Sequence, residues 1–323
     1  MAPDILLAVS SEALKTPLFD SHVAAGGKMV EFAGYSLPVQ YSGVIAETKA
    51  VRQEAGMFDV SHMARLHFTG DRVIEFLEYI TTNEVSSLVD GQGQYTLLTN
   101  EAGGCVDDLI IYRLTENEFA LVVNAANHEK DVMHMRLKNR YDVKIEDHTS
   151  QTAMIAVQGP KAAETLKGIC SAPELIDGAG MCGTMKTEFG GVGCFAARSG
   201  YTGEDGFELI CSAEDAPKLW DALLAAGVTP CGLGSRDVLR VEAGLPLYGH
   251  ELSDDLSPIA AGLGWVISKE KSFIGSEFIK QAREEGVPYK IHGVKLEGRR
   301  LPMQGSQVFV NDEPVGEVVS GVF

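Results

Sequence analysis

Strand-like segments that follow one another across short turns most constrain how this chain can fold. Residues 95–99 and 105–114 are largely apolar and flank the polar, glycine-rich turn 100–104, and a third such segment, 119–123, follows a second short turn. Strands spaced so closely form antiparallel hairpins. Helical patterns are interleaved with the strands without regular alternation, for example at 44–55, 127–139 and 278–285. The order favours an α+β fold over a doubly wound one.

Size and charge narrow the class of protein. The chain has 323 residues and a formal net charge of −18. That length allows two ordinary domains or three small ones. A strongly acidic surface argues against nucleic acid as the main partner, because phosphate has to be met by Lys and Arg. The longest apolar runs fall short of the roughly 18–20 residues that a membrane helix needs. The apolar stretch 5–9 follows Asp4 rather than basic residues, unlike a secretory signal, so we expect an intracellular protein.

The cysteines and histidines show no metal-binding spacing. Among the six cysteines there is no C-x-x-C pair, and none stands beside a histidine as in a zinc site. His62 and His67 are five residues apart, which suits no standard ligand pair. We expect reduced, mostly buried thiols and no bound metal.

Asp107 and Asp108 interrupt an otherwise apolar strand. Neighbouring strand residues point to opposite faces, so one carboxylate can face a pocket while the other faces out. A carboxylate in apolar surroundings is costly unless a partner or ligand meets it. Alternatively, both lie in solvent at the first turn of the strand, after Gly103 and Gly104. Spacing alone leaves both interpretations open.

The segment 199–208 is rich in glycine, contains Tyr201 and ends at Glu208, where an apolar strand begins. Close-set glycines predict a loop in which the backbone approaches a ligand. A buried carboxylate at 208 could accept two parallel N–H bonds from the edge of a planar, amide-like ring. A turn with solvated acids explains the pattern equally well.

The segment 232–237 predicts a loop that leads into a helix carrying Arg236 in its first turn. Asp237 takes the last glycine position of a G-x-G-x-x-G motif, and the Lys-Ser/Thr of a P-loop is missing. An arginine at a helix start opposes the helix dipole, so another contact should hold it. The alternative is a surface salt bridge to Asp237 or Glu242. With no G-x-S-x-G, H-E-x-x-H or Cys–His pair in the sequence, nucleophilic catalysis by the protein is not indicated.

Several long segments together resemble the T-protein family of the glycine cleavage system, the folate-binding aminomethyltransferases, over 16–323. The segments that carry the resemblance occur in the family's order: TPLF at 16–19, AGMFDVSHM at 55–63, GGCVDDLI at 103–110, VVNAAN at 122–127, GYTGEDGFE at 200–208 and CGLGSRD at 231–237.

The resemblance implies a three-domain cloverleaf around a central folate channel. It assigns 1–63 and 149–250 to a discontinuous first domain, 64–148 and 251–287 to a second, α+β domain, and 288–323 to the start of a C-terminal β-barrel domain. A β segment of about 35 residues cannot close a barrel of its own. We therefore expect this last domain to be incomplete, in a truncated chain.

The resemblance also implies roles for individual residues. Asp108 matches the essential aspartate of the family. Glu208 matches the carboxylate that grips the amino and ring N–H edge of the pterin, and Arg236 matches the folate-site arginine. The other matches to pocket-lining positions are Met63, Tyr95, Asn124 and Tyr201.

The implied reaction moves the one-carbon unit of an aminomethyl group from the lipoyl arm of the glycine cleavage H-protein to tetrahydrofolate. Ammonia is released and 5,10-methylenetetrahydrofolate forms. The implied partners are tetrahydrofolate and lipoylated H-protein, with no nucleic acid and no membrane, in bacterial cytoplasm or the mitochondrial matrix of a eukaryote. Both ligands are anionic and the protein carries −18, so we expect a local basic patch, with Lys28, Arg65 and Arg198 as candidates.

Two other functions fit parts of the pattern. One is a folate-dependent demethylase on the same scaffold, which would act on a small methylated substrate without a lipoyl carrier. The other is a non-catalytic folate-binding protein of the iron–sulfur assembly type. Those proteins carry a Lys-Gly-Cys-aromatic-x-Gly-Gln motif, which the residues at 230–236 do not match.

Overall fold

The computed structural model describes residues 13–298 and 301–322. The described strands are β1 (Leu14–Lys15), β2 (Lys28–Phe32), β3 (Tyr35–Gln40), β4 (Gly56–Asp59), β5 (Ala64–Thr69), β6 (Gly93–Thr99), β7 (Cys105–Thr115), β8 (Glu118–Val123), β9 (Lys144–Asp147), β10 (Thr152–Gln158), β11 (Thr184–Phe189), β12 (Val192–Ala197), β13 (Gly206–Ser212), β14 (Thr229–Pro230), β15 (Gln307–Val310) and β16 (Glu313–Glu317). The described helices are α1 (Phe19–Ala24), α2 (Val44–Gln53), α3 (Val73–Ile80), α4 (His128–Lys138), α5 (Ala162–Lys167), α6 (Glu174–Gly178), α7 (Ala216–Ala225), α8 (Leu233–Glu242) and α9 (Ser276–Glu285).

Helices and mainly antiparallel sheets mix along the chain, which confirms the predicted α+β class. The hairpin pattern forms as β6, β7 and β8, each within two residues of its predicted bounds. The helix predicted at 44–55 ends two residues early, at Gln53. Gly56 then begins β4, where a Cβ atom would lie 2.5 Å from Val51 and 2.8 Å from the Cys231 sulfur. The glycine lets this strand pack tightly against the helix.

A five-stranded sheet has the order β6-β7-β8-β5-β9 and is antiparallel throughout. A six-stranded sheet has the order β11-β12-β13-β10-β4-β14, with only the β14–β4 pair parallel. Strands β1, β3 and β2 form a small third sheet, and β15 pairs with β16.

Each large sheet carries helices on its outer face. Side chains from α3 and α4, including Phe76 and Met135, pack on Leu109 and Ile111 of the five-stranded sheet. Trp220 and its neighbours in α7 pack on the six-stranded sheet. A separate apolar cluster joins the inner faces of the two sheets, with Phe58, Met154 and Ala156 from one and Tyr112 and Val122 from the other.

Strand alternation decides which acids reach the space between the sheets. Along β7, Leu109 and Ile111 face the helices, while Ile110 and Tyr112 belong to the cluster between the sheets. Because side chains alternate, Asp108 points towards the other sheet and Asp107 away from it. The same alternation along β13 turns Glu208 towards the five-stranded sheet, since the neighbouring Phe207 and Leu209 face the helices.

All six cysteines are free thiols, and four of them are buried, as expected. Within the described residues, none of the helices combines the length and the apolar character that a membrane crossing would require.

Candidate active site

Asp107 is fully buried and is held by amide groups. Its Oδ1 accepts hydrogen bonds from the side-chain nitrogens of Asn124 (3.0 Å) and Asn127 (2.6 Å), and its Oδ2 accepts one from the Asn124 backbone (3.2 Å). Both asparagines lie between β8 and α4. The interpretation that placed both aspartates in solvent is therefore wrong, and the paired amides replace the water that Asp107 gives up.

Asp108 lies on the other face of β7 and is partly buried. The Tyr95 hydroxyl donates to its Oδ2 (2.9 Å) and the Asn124 side chain donates to its Oδ1 (2.9 Å). Burial, followed by the negative charge of Asp107, raises the pKa of Asp108 to about 7, against the opposing effect of the two donors. A carboxyl group with such a pKa is suited to proton exchange at neutral pH. The structure thus brings together Asp108, Tyr95 and Asn124, three of the site residues predicted from the sequence.

Trp265 stands beside this group and was not predicted. Its ring stacks on Tyr95 with centroids 6.0 Å apart and planes 23° apart, and the residue is 72% exposed. An exposed tryptophan next to a partly buried carboxyl offers a flat apolar surface to a ligand ring. Its only signal in the sequence was a single aromatic residue in a glycine-containing loop, which is too common a pattern to select it.

Glu208 is 7% exposed and faces the same space from the six-stranded sheet. The Ser199 hydroxyl donates to its Oε2 (2.5 Å) and also lies 3.1 Å from the Tyr112 hydroxyl of β7. Burial raises the pKa of Glu208, while the Ser199 hydrogen bond and the charge of Arg236 oppose that rise. The solvated turn considered for this segment is therefore wrong at Glu208.

Two glycines of the 199–208 loop are required by close packing against a protein side chain, whereas the sequence analysis expected a loop backbone that approaches a ligand. A Cβ atom on Gly200 would lie 1.9 Å from the Gln158 side chain, and one on Gly206 would lie 2.5 Å from it. Gln158 donates to the Ser199 carbonyl (2.9 Å) and accepts from the Thr202 hydroxyl (2.8 Å). The backbone thus closes on a buried glutamine, which fixes the loop that carries Ser199.

Arg236 is the fourth residue of α8 and lies over two aromatic rings, Tyr201 at 5.0 Å and Phe58 at 5.9 Å. Burial lowers its pKa, while the charge of Glu208 opposes that change. Its Nη1 is buried and has no hydrogen-bond partner among residues 13–298 and 301–322. The surface salt bridge considered from the sequence is wrong, because the acids proposed for it bind other arginines: Asp237 binds Arg240 and Glu242 binds Arg52, both at 2.8 Å.

Tyr201 lies between the side chains around Asp108 and those around Arg236. Its hydroxyl donates to the Pro246 carbonyl (2.5 Å) and its ring lies under Arg236. Burial raises the pKa of Tyr201, and the charges of Asp108 and Arg236 act on it in opposite directions. Tyr201 is therefore within electrostatic reach of both centres, and Met63 lies at the margin of the apolar cluster between the sheets.

The expected basic patch is wrong at Arg65. This residue is 5% exposed, and its guanidinium donates to backbone carbonyls and to Thr152 (2.7 Å), so it ties the start of β5 to the 149–152 turn. Burial lowers its pKa to about 10. Arg198 is bound by Asp205 through two hydrogen bonds of 2.9 and 2.7 Å. Lys28 is exposed.

Comparison with known proteins shows the family to which the chain belongs. A family model described as the GCVT N-terminal domain matches residues 18–271. An aminomethyltransferase from Halalkalibacterium halodurans is 45% identical over 323 residues, which cover 96% of this chain and 86% of the relative. Another, from Geobacillus kaustophilus, is 46% identical over 320 residues, with 95% and 86% covered.

A solved structure gives the same result. The glycine cleavage system aminomethyltransferase T from Bartonella henselae superposes with a TM-score of 0.89 at 33% identity, over 97% of this chain and 86% of that one. Sequence and fold therefore define a one-carbon transferase. The chain belongs to the GCVT family, the aminomethyltransferases of the glycine cleavage system, as the resemblance of its motifs predicted.

Proposed function

We propose that this enzyme transfers the one-carbon unit of an aminomethyl group from the lipoyl arm of the glycine cleavage H-protein to tetrahydrofolate. The thioether-linked aminomethyl group and tetrahydrofolate give 5,10-methylenetetrahydrofolate, ammonia and the free dihydrolipoyl thiol, so that all atoms balance. Tetrahydrofolate, when bound, supplies the two nitrogens that accept the carbon.

One observation carries the proposal: a buried arginine with an unused donor faces a buried carboxylate without forming an ion pair with it. Arg236 and Glu208 influence each other's pKa, yet Nη1 of Arg236 has no hydrogen-bond partner among the residues that the structure describes. Leaving such groups unpaired is costly unless a ligand satisfies them. A planar ring with adjacent N–H donors and acceptors, such as a pterin, fits this donor set.

Asp108 has the catalytic role in this proposal. In its ionised form it orients the acceptor and stabilises the positive charge that develops during transfer. Its position opposite Glu208, on the facing surface of the other sheet, suits a site that holds a ring at one end and acts on it at the other. Asn124 and Tyr95 hold the Asp108 carboxylate, and Tyr201, Trp265 and Met63 supply apolar walls.

The domain assignment belongs to the same proposal. Strands β5 to β9 form one sheet, while β4, which precedes them, and β10 to β14, which follow them, form another. This supports a first domain of 1–63 with 149–250 and a second of 64–148 with 251–287. We assign 288–323 to a third, β-barrel domain, and the folate channel to the centre of the cloverleaf.

Methylenetetrahydrofolate formation tests the proposal. The enzyme is supplied with H-protein that carries an aminomethylated lipoyl arm, with and without tetrahydrofolate. We expect methylenetetrahydrofolate and ammonia to form in equal amounts, and only when aminomethylated H-protein and tetrahydrofolate are both present. Ammonia release at the same rate without tetrahydrofolate, or equal turnover of a free sulfonium or N-methyl substrate, would contradict the assignment.

A further inference from the structure

A further acid, Asp131, is buried in the first turn of α4, on the side of β7 opposite to Asp108. Asp131 is 0% exposed, and neither of its carboxyl oxygens has a hydrogen-bond donor within the part of the chain that the structure describes. The ammonium group of the preceding residue, Lys130, donates instead to the Val106 carbonyl and the Tyr248 hydroxyl, both at 2.7 Å. None of the ion pairs among the described residues includes Asp131.

Asn127, about one helical turn before Asp131, binds the Asp107 carboxylate at 2.6 Å, so Asp131 lies on the side of the helix that faces Asp107, and the two carboxyl groups act on each other. Asp107 is itself fully buried and already accepts three amide hydrogen bonds. Two carboxylates in contact and away from water cannot both be ionised, and one shared proton turns their repulsion into a hydrogen bond. Asp107 accepts three amide hydrogen bonds whereas Asp131 has no donor among the described residues, which places the shared proton on Asp131. Burial and then the Asp107 charge raise the pKa of Asp131 to about 11.

We propose that Asp131 is a positioning residue for the reaction: its neutral carboxyl donates a hydrogen bond to Asp107, and Asp107 in turn fixes Asn124 against Asp108. The proposal rests on the catalytic role proposed above for Asp108. It adds a residue that touches neither substrate nor the catalytic carboxylate and acts through two others.

The arrangement depends on Asn124, because its side-chain amide has to bind both aspartates. Its side-chain nitrogen lies 3.0 Å from Asp107 Oδ1, 2.9 Å from Asp108 Oδ1 and 3.1 Å from the Asp108 carbonyl. Two N–H hydrogens thus serve three acceptors, so the two aspartates compete for them. The hydrogen bond from Asp131 satisfies part of the demand of Asp107 and leaves the amide free to hold Asp108.

Two substitutions separate the donor from the volume of the side chain. Asp131→Asn keeps a donor of the same shape, and we expect kcat within about twofold of the parent. Asp131→Leu fills the space without a donor, and we expect kcat to fall about tenfold, the effect of one hydrogen bond lost to a charged group, with KM for tetrahydrofolate unchanged. Glu129→Gln, an exposed acid of the same helix, is the control. A folded Asp131→Leu enzyme with parental kcat, or an equal loss in Asp131→Asn, would overturn the proposal.

Infrared spectroscopy tests the proton without any substrate. At pH 8 the difference spectrum between the parent and Asp131→Asn should contain the C=O stretching band of a protonated carboxyl group. Its absence would refute a neutral Asp131, even if the leucine variant does not fold. If instead the band is present but Asp108→Asn retains turnover, the proposed function of Asp108 fails while the protonated Asp131 stands.

Discussion

Each of the two large sheets carries an acidic centre, and the carboxyl groups of the two centres are stabilised in different ways. On the six-stranded side, Glu208 has one hydroxyl donor and the nearby positive charge of Arg236. On the five-stranded side, Asp107 and Asp108 have amide and phenol donors, Asp131 behind them has no donor, and none of the three forms an ion pair among the described residues.

This difference in the partners of the carboxyl groups indicates a different chemical role for each centre. A carboxylate beside a cation can hold a polar ligand edge in a fixed direction. Carboxyls without a cation share protons, and their pKa values separate, to about 7 for Asp108 and about 11 for Asp131. In the proposed function, the first centre therefore serves binding and the second serves turnover.

The largest expected effect is the loss of turnover in Asp108→Asn. The amide keeps the shape of the side chain but cannot stabilise positive charge or accept a proton as a carboxylate does, so kcat should fall by about 10²–10⁴-fold. Steady-state methylenetetrahydrofolate formation measures it. Asp221→Asn, at an exposed position of α7, should be unchanged. Near-parental turnover of Asp108→Asn would remove the catalytic centre from the five-stranded sheet.

Glu208→Gln should act on affinity instead. The substitution removes a charged acceptor worth about 1.5–3 kcal/mol, so the Kd for tetrahydrofolate should rise by about 10–100-fold. Titration calorimetry measures it, with Glu188→Gln, an exposed acid of the same sheet, as the control. An unaltered Kd would show that the carboxylate does not contact the ligand.

Asp131→Asn should become more stable relative to the parent as the pH rises. The folded parent keeps the Asp131 proton up to a pH of about 11, whereas the unfolded chain releases it above about 4. The parent therefore loses up to about 1.4 kcal/mol of unfolding free energy per pH unit in this interval, and asparagine has no such loss. Urea unfolding at pH 6 and pH 8 tests this, and a constant difference between the two proteins would contradict it.

Asp107→Asn should move the pH profile of turnover. The parental kcat should rise as the pH increases through about 7, where Asp108 ionises. Removing the neighbouring negative charge favours ionisation, so the rise should shift by about one unit to lower pH. A profile that keeps its position would mean that Asp107 does not act on Asp108 through charge.

Tyr95→Phe should give the smallest effect, in the opposite direction. The phenol hydrogen bond stabilises ionised Asp108 and lowers its pKa. Its loss should move the rise in kcat to higher pH by about half a unit. Opposite shifts in these last two variants would assign the profile to Asp108, whereas shifts of the same sign would assign it to another group.

The sequence predicted those parts of the molecule that local pattern controls. Alternation along β7 indicated that the two aspartates face opposite ways, and motif resemblance selected Asp108, Glu208 and Arg236. Local pattern could not show that β13 and α8 bring Glu208 and Arg236 together, because that depends on how the sheet and the helix pack. Neither could it predict Arg65 as a buried tie between turns.

The burial of Asp131 could not be predicted from the sequence for a related reason. An acid in the first turns of a helix is usually solvated and favours the helix dipole, and Glu129 in the same helix is exposed as that rule predicts. Only the contact with Asp107, 24 positions earlier in the chain, distinguishes the two acids. Burial of that kind is set by tertiary packing.

The most direct test of the division between binding and turnover is the Kd of tetrahydrofolate for Asp108→Asn. If Glu208 and Arg236 hold the ligand while Asp108 acts on it, the variant that has lost turnover should bind with a Kd within about threefold of the parent. A Kd raised as far as that of Glu208→Gln would show that the two sheets do not divide these tasks.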